Sequence, residues 1–417
     1  MDVTLTPSPL SGTLPAIPSK SDAHRALICA ALADRPTALR LPRTSADIDA
    51  TCACLEALGA GAVRRDGTVT VTPIRALSDR PLLDCGESGS TLRFLLPVAA
   101  ALCPAVRFTG RGRLPERPIG ALKAAMEFHG VSFSAERLPF DTTGQLTGGA
   151  FSLPGNISSQ YVTGLLLALP LTAGGGSLTL TTPLESAAYV DITLHTLRRF
   201  GIRVDITQNG YDVPGGQAFR SPGELAVDGD WSNAAFFLAA GALTAPVSLT
   251  GLDARSPQGD KAVLEVLHAF GAEVSISNGT VFASPRPLRG ITLDVSEIPD
   301  LLPVLAAVAA CAVGETRFVN AARLRLKESD RLSSTAAMLR SLGAETEELP
   351  DGLIVRGGPL SGGTVDGCND HRIVMAAAVA AARCGGPVTI RGAEAVNKSY
   401  PGFWEDYKRL GGELHVL

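Results

Sequence analysis

Eight basic residues lie at positions where the local sequence indicates no structural role for a positive charge. They precede apolar helices or lie in loops rich in Pro and Gly: Lys20, Arg25, Arg93, Arg117, Lys327, Arg331, Arg372 and Lys398. A lysine at the start of a helix opposes the helix dipole unless an anion lies between them. Each cation taken alone is typical of a solvated surface residue. Together, on a chain of net charge −4, they indicate a site for small and highly anionic ligands.

Two acids accompany these cations in the sequence. Glu328 lies within LKESDRL, where the i, i+4 spacing of Lys327 and Arg331 predicts two like charges on one helix face with an anion between them. Asp300 precedes an apolar run, where it could equally be a helix N-cap, and Glu328 could be a surface ion pair. A site that only binds anions has no use for carboxylates, whereas an enzyme that moves protons does. The combination favours an enzyme over a non-catalytic anion-binding repeat protein.

A repeated unit of about 70 residues must position these groups. At six places a helical apolar run ends in glycine and leads into alternating β-type residues. The six glycines are Gly59, Gly130, Gly201, Gly271, Gly343 and Gly411. Four of them are followed by a dipeptide that predicts a tight hairpin with positive φ at both turn residues: Asp66-Gly67, Asn209-Gly210, Asn278-Gly279 and Asp351-Gly352. Each unit therefore ends in helix, strand, turn and strand.

Several units begin with a small polar residue before an Ala- and Leu-rich run, which predicts a capped and buried helix. These predicted helix starts are Ser19-Lys20-Ser21, Ser88-Gly89-Ser90-Thr91, Ser158-Ser159-Gln160, Asp230-Trp231-Ser232-Asn233 and Asp370-His371-Arg372. Three units around a pseudo-threefold axis would bring parallel helix N-termini to one face, and two such faces would form a cleft with a positive field. We therefore predict an α/β (α+β) chain of two three-unit halves, divided near residues 226–229.

Composition excludes several other classes. The 417 residues are 45% hydrophobic, and the longest apolar runs are too short to span a bilayer, as in the run broken by Pro303. The start of the chain has no signal-peptide pattern, and the eight cysteines are scattered without a C-x-x-C motif, which predicts free thiols in the cytoplasm. We expect no metal and no organic cofactor, and neither nucleic acid nor membrane as a partner.

Nine motifs in order resemble those of the enolpyruvyl-shikimate-phosphate synthases, from about residue 19 to residue 403. They are Lys20-Ser21-x-x-x-Arg25, GESGSTLRF, LPERPIGAL, SSQYVTGLL, SAAYVDITL, EIPD, LKESDRL, NDHRIVMA and NKSYPGF. The resemblance implies the two-domain enolpyruvyl-transferase fold, with three βαβαββ units in each domain. It also implies that residues 1–18 and 228–417 form a lower domain and residues 19–227 an upper domain. The active site would lie in the cleft between them.

The resemblance further implies transfer of the enolpyruvyl group from phosphoenolpyruvate to the 5-hydroxyl of shikimate 3-phosphate, with release of phosphate. Asp300, Glu328 and Lys20 would be catalytic, with Asp300 taking the hydroxyl proton and Glu328 protonating the methylene carbon. The implied phosphoenolpyruvate ligands are Lys20, Gly89, Arg117, Gln160, Arg331, Arg372 and Lys398. The implied ligands of shikimate 3-phosphate are Ser21, Arg25, Ser158, Ser159, Gln160, Ser186, Asp300 and Lys327.

The nearest alternative has the same fold and uses a UDP-linked amino sugar as acceptor. That group usually carries a cysteine on a loop in the second unit, whereas this sequence has no cysteine between Cys103 and Cys311. The resemblance implies a cytoplasmic monomer that glyphosate inhibits at the phosphoenolpyruvate site. Glu87 departs from the Asn usual in the family and adds a negative charge near that site.

Overall fold

The computed structural model describes residues 1–417, and the chain divides into two compact units. The C-terminal unit consists of Met1–Ile17 and Asp228–Leu417, and the N-terminal unit is Pro18–Val227. Each unit has a hydrophobic core of its own, built mainly from Ala, Leu and Val side chains.

The secondary structure consists of 12 α-helices and 24 short strands. The helices are α1 (Lys20–Leu32), α2 (Ala46–Ala57), α3 (Gly89–Leu102), α4 (Gly120–Phe128), α5 (Ser159–Ala168), α6 (Ala187–Arg199), α7 (Trp231–Leu243), α8 (Val263–Phe270), α9 (Leu302–Ala310), α10 (Arg331–Ser341), α11 (His371–Ala381) and α12 (Phe403–Arg409). The strands are β1 (Val3–Thr6), β2 (Gly12–Pro15), β3 (Thr37–Arg40), β4 (Gly61–Arg65), β5 (Thr68–Thr72), β6 (Leu82–Asp84), β7 (Ala105–Thr109), β8 (Val131–Phe133), β9 (Phe140–Gly144), β10 (Gly149–Leu153), β11 (Gly175–Leu180), β12 (Asp205–Thr207), β13 (Gly210–Pro214), β14 (Glu224–Ala226), β15 (Val247–Thr250), β16 (Glu273–Ser277), β17 (Thr280–Ser284), β18 (Thr292–Asp294), β19 (Glu315–Val319), β20 (Glu345–Leu349), β21 (Gly352–Arg356), β22 (Gly363–Asp366), β23 (Val388–Arg391) and β24 (Glu413–Val416).

Six four-stranded sheets share one plan, in which a parallel pair is extended by two antiparallel strands. The N-terminal unit holds the sheets β14-β3-β5-β4, β6-β7-β9-β8 and β10-β11-β13-β12. The C-terminal unit holds β2-β15-β17-β16, β18-β19-β21-β20 and β22-β23-β1-β24. Strand β1 completes the last sheet because it pairs with both β23 and β24. The predicted α/β class with three βαβαββ repeats in each unit is confirmed.

One helix from each repeat is buried on almost every side. These helices are α1, α3 and α5 in the N-terminal unit and α7, α9 and α11 in the C-terminal unit. Their Ala-rich sequences suit a helix that packs all round, since small side chains allow close approach. Gly164 of α5 is needed for this packing, because a Cβ there would lie 2.2 Å from the Arg93 carbonyl oxygen of α3.

The predicted helix starts are confirmed. The first residue of each of the five predicted helix starts caps its helix by accepting a hydrogen bond from a backbone N–H of the first turn, as Ser19 does from Asp22 and Asp370 from Arg372. All six repeat glycines have positive φ, between 76° and 111°, at the ends of α2, α4, α6, α8, α10 and α12. That conformation strongly favours glycine and explains the period of the sequence pattern.

The four predicted hairpins form, but only two have the predicted turn. Asp66-Gly67 and Asn278-Gly279 have positive φ at both residues. Asn209 and Asp351 do not have positive φ, because the glycine that follows each of them already belongs to the next strand. All eight cysteines are free. The helices are too short or too polar for any of them to cross a membrane.

Candidate active site

Asp300 lies at the centre of a charged cluster in the C-terminal unit. The 3₁₀ turn Pro299–Leu301 presents it at the start of α9. Its Oδ1 accepts from Lys327 Nζ at 3.2 Å and from Arg331 Nη1 at 2.8 Å, and its Oδ2 accepts from Arg372 Nη2 at 3.1 Å. Three predicted site cations therefore converge on one predicted site carboxylate.

Arg331 is buried among three carboxylates. Its side chain is only 1% exposed and donates to Asp300, Glu328 and Asp370, with Nε–Oδ2 of Asp370 at 2.9 Å. Burial opposes its charge, but Asp370, Glu328 and Asp300 together raise the pKa of Arg331 above its ordinary value. The guanidinium is therefore permanently charged and fixed in orientation.

Lys327 and Arg331 do not share a helix face, and that prediction is wrong. The 3₁₀ turn Ala322–Leu326 ends before Lys327, and α10 begins only at Arg331. The reason is Asp330, whose carboxylate caps α10 by accepting from the Ser333 N–H at 3.2 Å. The two cations nevertheless meet, because both bind Oδ1 of Asp300. The anion between them is supplied by the protein.

The other predicted ligands of the C-terminal unit are Lys327, Arg372 and Lys398, and they differ in burial and in hydrogen-bond partners. Burial lowers the pKa of Lys327, although the adjacent Asp300 carboxylate opposes this shift. Arg372, in the first turn of α11, donates to the Asp300 carbonyl oxygen at 3.1 Å and to Ser232 Oγ at 2.7 Å. Lys398 ends the 3₁₀ turn Ala393–Lys398, where its Nζ donates to the Asn369 carbonyl oxygen at 2.6 Å.

The first two turns of α1 present a second group of predicted residues, in the N-terminal unit. Lys20 forms an ion pair with Asp47, with Nζ and Oδ2 2.8 Å apart. Arg25 is buried, and its guanidinium donates to the Ser21 carbonyl oxygen at 2.6 Å and to Thr193 Oγ1 at 2.7 Å. Burial lowers the pKa of Arg25 to about 10, so it remains charged at neutral pH. Arg25 therefore anchors α1 to α6 and fixes the backbone of Ser21.

The first turn of α3 places Gly89 against two guanidinium groups. A Cβ on Gly89 would lie 2.6 Å from Arg93 Nη1 and 2.7 Å from Arg117 Nη1. Arg93 Nη1 also donates to Gln160 Oε1 at 2.8 Å, which connects α3 with the start of α5. Gly89, Arg117 and Gln160, all predicted to bind phosphoenolpyruvate, therefore gather around Arg93. The absence of a side chain at Gly89 makes room for the arginines.

Three predicted serines lie at helix starts of the N-terminal unit. Ser158 caps α5, where its Oγ accepts from the Gln160 N–H at 3.3 Å, and Ser159 is the first residue of that helix. Ser186 precedes α6 in the left-handed conformation, with φ of 55°, and is buried. A left-handed serine is uncommon and costs conformational energy, which is typical of a functional position.

Two carboxylates that hold predicted ligands were not predicted from the sequence to belong to the site. Asp370 binds Arg331, and Asp47 binds Lys20. Asp370 carried a signal, since it is a helix cap inside the motif NDHRIVMA. Nothing in the sequence around Asp47 distinguishes it from an ordinary acidic residue in the first turn of a helix.

Comparisons with known proteins agree with one another. The model of the family described as EPSP synthase (3-phosphoshikimate 1-carboxyvinyltransferase) matches residues 5–407. A 3-phosphoshikimate 1-carboxyvinyltransferase of Clostridium kluyveri is 41% identical over 99% of this chain and 98% of its own length. One from Halobacterium salinarum is 42% identical over 99% of both chains.

Solved structures show the same architecture. The EPSP synthase of Acinetobacter baumannii superposes with a TM-score of 0.82 at 28% identity, over the full length of both chains. The enolpyruvyl transferase NikO of Streptomyces tendae reaches a TM-score of 0.81 at 21% identity, over 99% of this chain and 98% of its own, and supports the fold alone. The predicted enolpyruvyl-transferase fold is confirmed. With its family model matched over nearly the whole length, the chain belongs to the EPSP synthase (3-phosphoshikimate 1-carboxyvinyltransferase) family.

Proposed function

We propose that Asp300, Glu328 and Lys20 are the residues with which this member of the family transfers the enolpyruvyl group of phosphoenolpyruvate to shikimate 3-phosphate. The products are 5-enolpyruvylshikimate 3-phosphate and phosphate. The observation that carries the proposal is the convergence of Lys327, Arg331 and Arg372 on the Asp300 carboxylate. Cations that bind anionic substrates and a carboxylate that moves a proton are thereby in direct contact.

The reaction is an addition followed by an elimination. In the addition, Asp300 takes the proton of the 5-hydroxyl, the oxygen bonds to C2 of phosphoenolpyruvate, and Glu328 gives a proton to the methylene carbon. In the elimination, Glu328 takes a proton back from the new methyl group, the bond from C2 to the phosphate oxygen breaks, and Asp300 returns its proton to the departing phosphate. The cycle begins and ends with Asp300 ionised and Glu328 protonated, so atoms and charges balance without any further reactant.

Substrate binding and proton transfer are coupled in this proposal. The two substrates carry about six negative charges. Lys327, Arg331 and Arg372 are already paired with carboxylates, so an incoming anionic group competes with Asp300 and Glu328 for them. As the cations turn to the substrate, each carboxylate loses stabilisation of its charge and becomes a better proton acceptor.

The proposed ligands come from both units. Phosphoenolpyruvate would be held by Lys20, Gly89, Arg117, Gln160, Arg331, Arg372 and Lys398, and shikimate 3-phosphate by Ser21, Arg25, Ser158, Ser159, Gln160, Ser186, Asp300 and Lys327. One chain supplies the whole set, which fits a monomer. Eight free cysteines fit the reducing cytoplasm.

Deuterium incorporation tests the assigned proton transfers. If Glu328 protonates the methylene carbon reversibly, the reaction in D₂O places solvent deuterium in the vinyl group of the product, because any of the three methyl hydrogens can leave. We expect deuterated product from the wild type, and formation of that product at least about 10² times more slowly by Glu328→Gln. Product formed in D₂O without vinyl deuterium would contradict the addition–elimination assignment.

A further inference from the structure

Asp260 is a buried carboxylate beside the Asp300 cluster, and the proposed mechanism does not use it. It lies in the 3₁₀ turn Gly259–Ala262 and is only 4% exposed. The turn is anchored to the start of α7 by Gln258, whose Oε1 accepts from the Trp231 N–H at 3.1 Å. The Gln258 amide also donates to the Gly229 carbonyl oxygen at 2.8 Å. These two hydrogen bonds of the Gln258 side chain therefore fix the position of the turn that carries Asp260.

Ser232 connects Asp260 with Arg372. Arg372 Nη2 donates to Ser232 Oγ at 2.7 Å and to Asp300 Oδ2 at 3.1 Å, and Ser232 is hydrogen-bonded to Asp260. A guanidinium can only donate, so the serine oxygen accepts from Arg372 and keeps its own proton for the Asp260 carboxylate. The contacts form one chain from Asp260 through Ser232 and Arg372 to Asp300.

The charges around Asp260 oppose one another. Burial and the nearby Asp300 carboxylate raise the pKa of Asp260 to about 6, and Asp230 acts in the same direction. Arg372 and the hydrogen bond with Ser232 favour its ionised form. The protein therefore keeps a carboxylate whose ionisation costs folding free energy. Such a residue is typical of functional sites, because a side chain needed only for packing would carry no charge there.

We propose that Asp260 is a positioning residue, which through Ser232 fixes Arg372 in the orientation that holds the Asp300 carboxylate. This inference rests on the proposed function, in which Asp300 accepts the proton of the 5-hydroxyl. The carboxylate of Asp260 fixes the direction of the serine hydroxyl, and its negative charge attracts the Arg372 guanidinium. Asp260 itself does not contact the substrates.

Asp260→Asn separates this role from a structural one. The amide keeps the size but removes the charge, and its NH₂ can compete with Arg372 for the serine oxygen. We expect kcat to fall about tenfold, while the melting temperature at pH 8 stays equal to or above that of the wild type. The acid limb of the kcat–pH profile should move to lower pH, because loss of a neighbouring negative charge reduces the proton affinity of Asp300.

Variants of Ser232 test the connection independently. Ser232→Ala should lower kcat as much as Asp260→Asn, and Ser232→Thr, which keeps a hydroxyl, should restore most of it. The Asp260→Asn/Ser232→Ala double variant should be no slower than the slower single variant, because both changes break one chain of contacts. Asp406→Asn serves as the matched control. That buried carboxylate accepts from the Tyr400 hydroxyl at 2.9 Å, and its loss should lower the melting temperature with kcat within twofold.

The inference is overturned if folded Asp260→Asn has the kcat and pH profile of the wild type, or if the effects of the two single variants multiply in the double variant. A failure of Asp260→Asn to fold would leave the Ser232→Ala and Ser232→Thr pair to decide. Asp300→Asn distinguishes a failure of the proposed function from a failure of the positioning role of Asp260. If that variant keeps its turnover, the proposed function fails. If it is inactive while the Asp260 and Ser232 variants behave as wild type, only the positioning role fails.

Discussion

Arg331 and Asp370 form a buried ion pair through two hydrogen bonds, Nε–Oδ2 at 2.9 Å and Nη2–Oδ1 at 3.2 Å. Asp370 is fully buried and also caps α11 by accepting from the Arg372 N–H at 3.0 Å. Its other oxygen accepts from Ser329 Oγ at 3.0 Å. One carboxylate thus connects the loop that carries Glu328 with the first turns of α10 and α11.

Loss of this carboxylate should destabilise the protein. Asp370→Asn leaves the buried charge of Arg331 with one partner fewer, and breaking a buried ion pair costs about 3 kcal/mol. Urea denaturation followed by circular dichroism would measure the change in the free energy of unfolding. Asp253→Asn is the control, since its pair with the largely exposed Arg255 lies at the surface and should contribute less than about 1 kcal/mol. Equal changes for the two variants would contradict the role given to Asp370.

The two proposed proton-transfer residues should be separable from binding. Asp300→Asn and Glu328→Gln keep size but cannot exchange protons, so kcat should fall by about 10² or more. Titration calorimetry should still detect shikimate 3-phosphate with both variants. Glu348→Gln provides the control, because that carboxylate accepts from Arg325 at 2.8 Å in the same unit but belongs to no proposed site. A variant of either site acid with near-normal turnover would remove that acid from the mechanism.

Gly89→Ala should weaken glyphosate inhibition. Its methyl group would meet the guanidinium groups of Arg93 and Arg117, so both must move. We expect glyphosate to compete with phosphoenolpyruvate, and the inhibition constant to rise more than the KM for phosphoenolpyruvate because glyphosate is the longer molecule. Gly120→Ala is the matched control, since it is also the first residue of a helix but has nothing within 4 Å of the added Cβ. Equal fold-changes in the two constants of Gly89→Ala would contradict this prediction.

His24 should make the fold sensitive to mild acid. The residue is 1% exposed, and burial together with the charges of Lys20 and Arg25 lowers its pKa well below the usual value. His24 therefore binds a proton near pH 6.5 in the unfolded chain but stays neutral at that pH in the folded chain. Stability is therefore lost as the pH falls below about 6.5, by up to about 1.4 kcal/mol per pH unit.

His24→Asn isolates this contribution, because an amide can keep the hydrogen bond that Nδ1 makes with Thr51 Oγ1 at 2.7 Å. The difference in unfolding free energy between wild type and variant should shrink steadily from pH 7 to pH 5. Comparing the two proteins removes the opposite contribution of Asp260, whose raised pKa favours the folded state as the pH falls below about 6. If the difference in unfolding free energy stays constant from pH 7 to pH 5, protonation of His24 does not contribute to the loss of stability in acid.

The repeat was predictable from the sequence because its determinants are local. Each repeat ends a helix with a left-handed glycine, and five of the six buried helices begin with a residue that caps them, as Ser19 and Ser88 do. These requirements depend only on neighbouring residues, so they leave a regular pattern in the chain. The motif resemblance then assigned the family, which the comparisons confirm.

The pairing of charges was not predictable in this way. The sequence places Lys327 four residues before Arg331 but cannot show that α10 starts at the second of them, since Asp330 decides this through its cap. Partners such as Asp47 for Lys20 lie 27 residues away and are joined only by packing of α1 on α2. The sequence pattern predicted an external anion for the cations, whereas the folded chain supplies carboxylates from other elements.

The most direct test of the central claim is phosphate release by the purified chain. With phosphoenolpyruvate and shikimate 3-phosphate together, we predict one phosphate for each molecule of 5-enolpyruvylshikimate 3-phosphate formed. Either substrate alone, or a UDP-linked amino sugar in place of shikimate 3-phosphate, should release none, and Asp300→Asn should release phosphate at least about 10² times more slowly. Absence of phosphate release from the two substrates together, or equal rates for wild type and Asp300→Asn, would contradict the account.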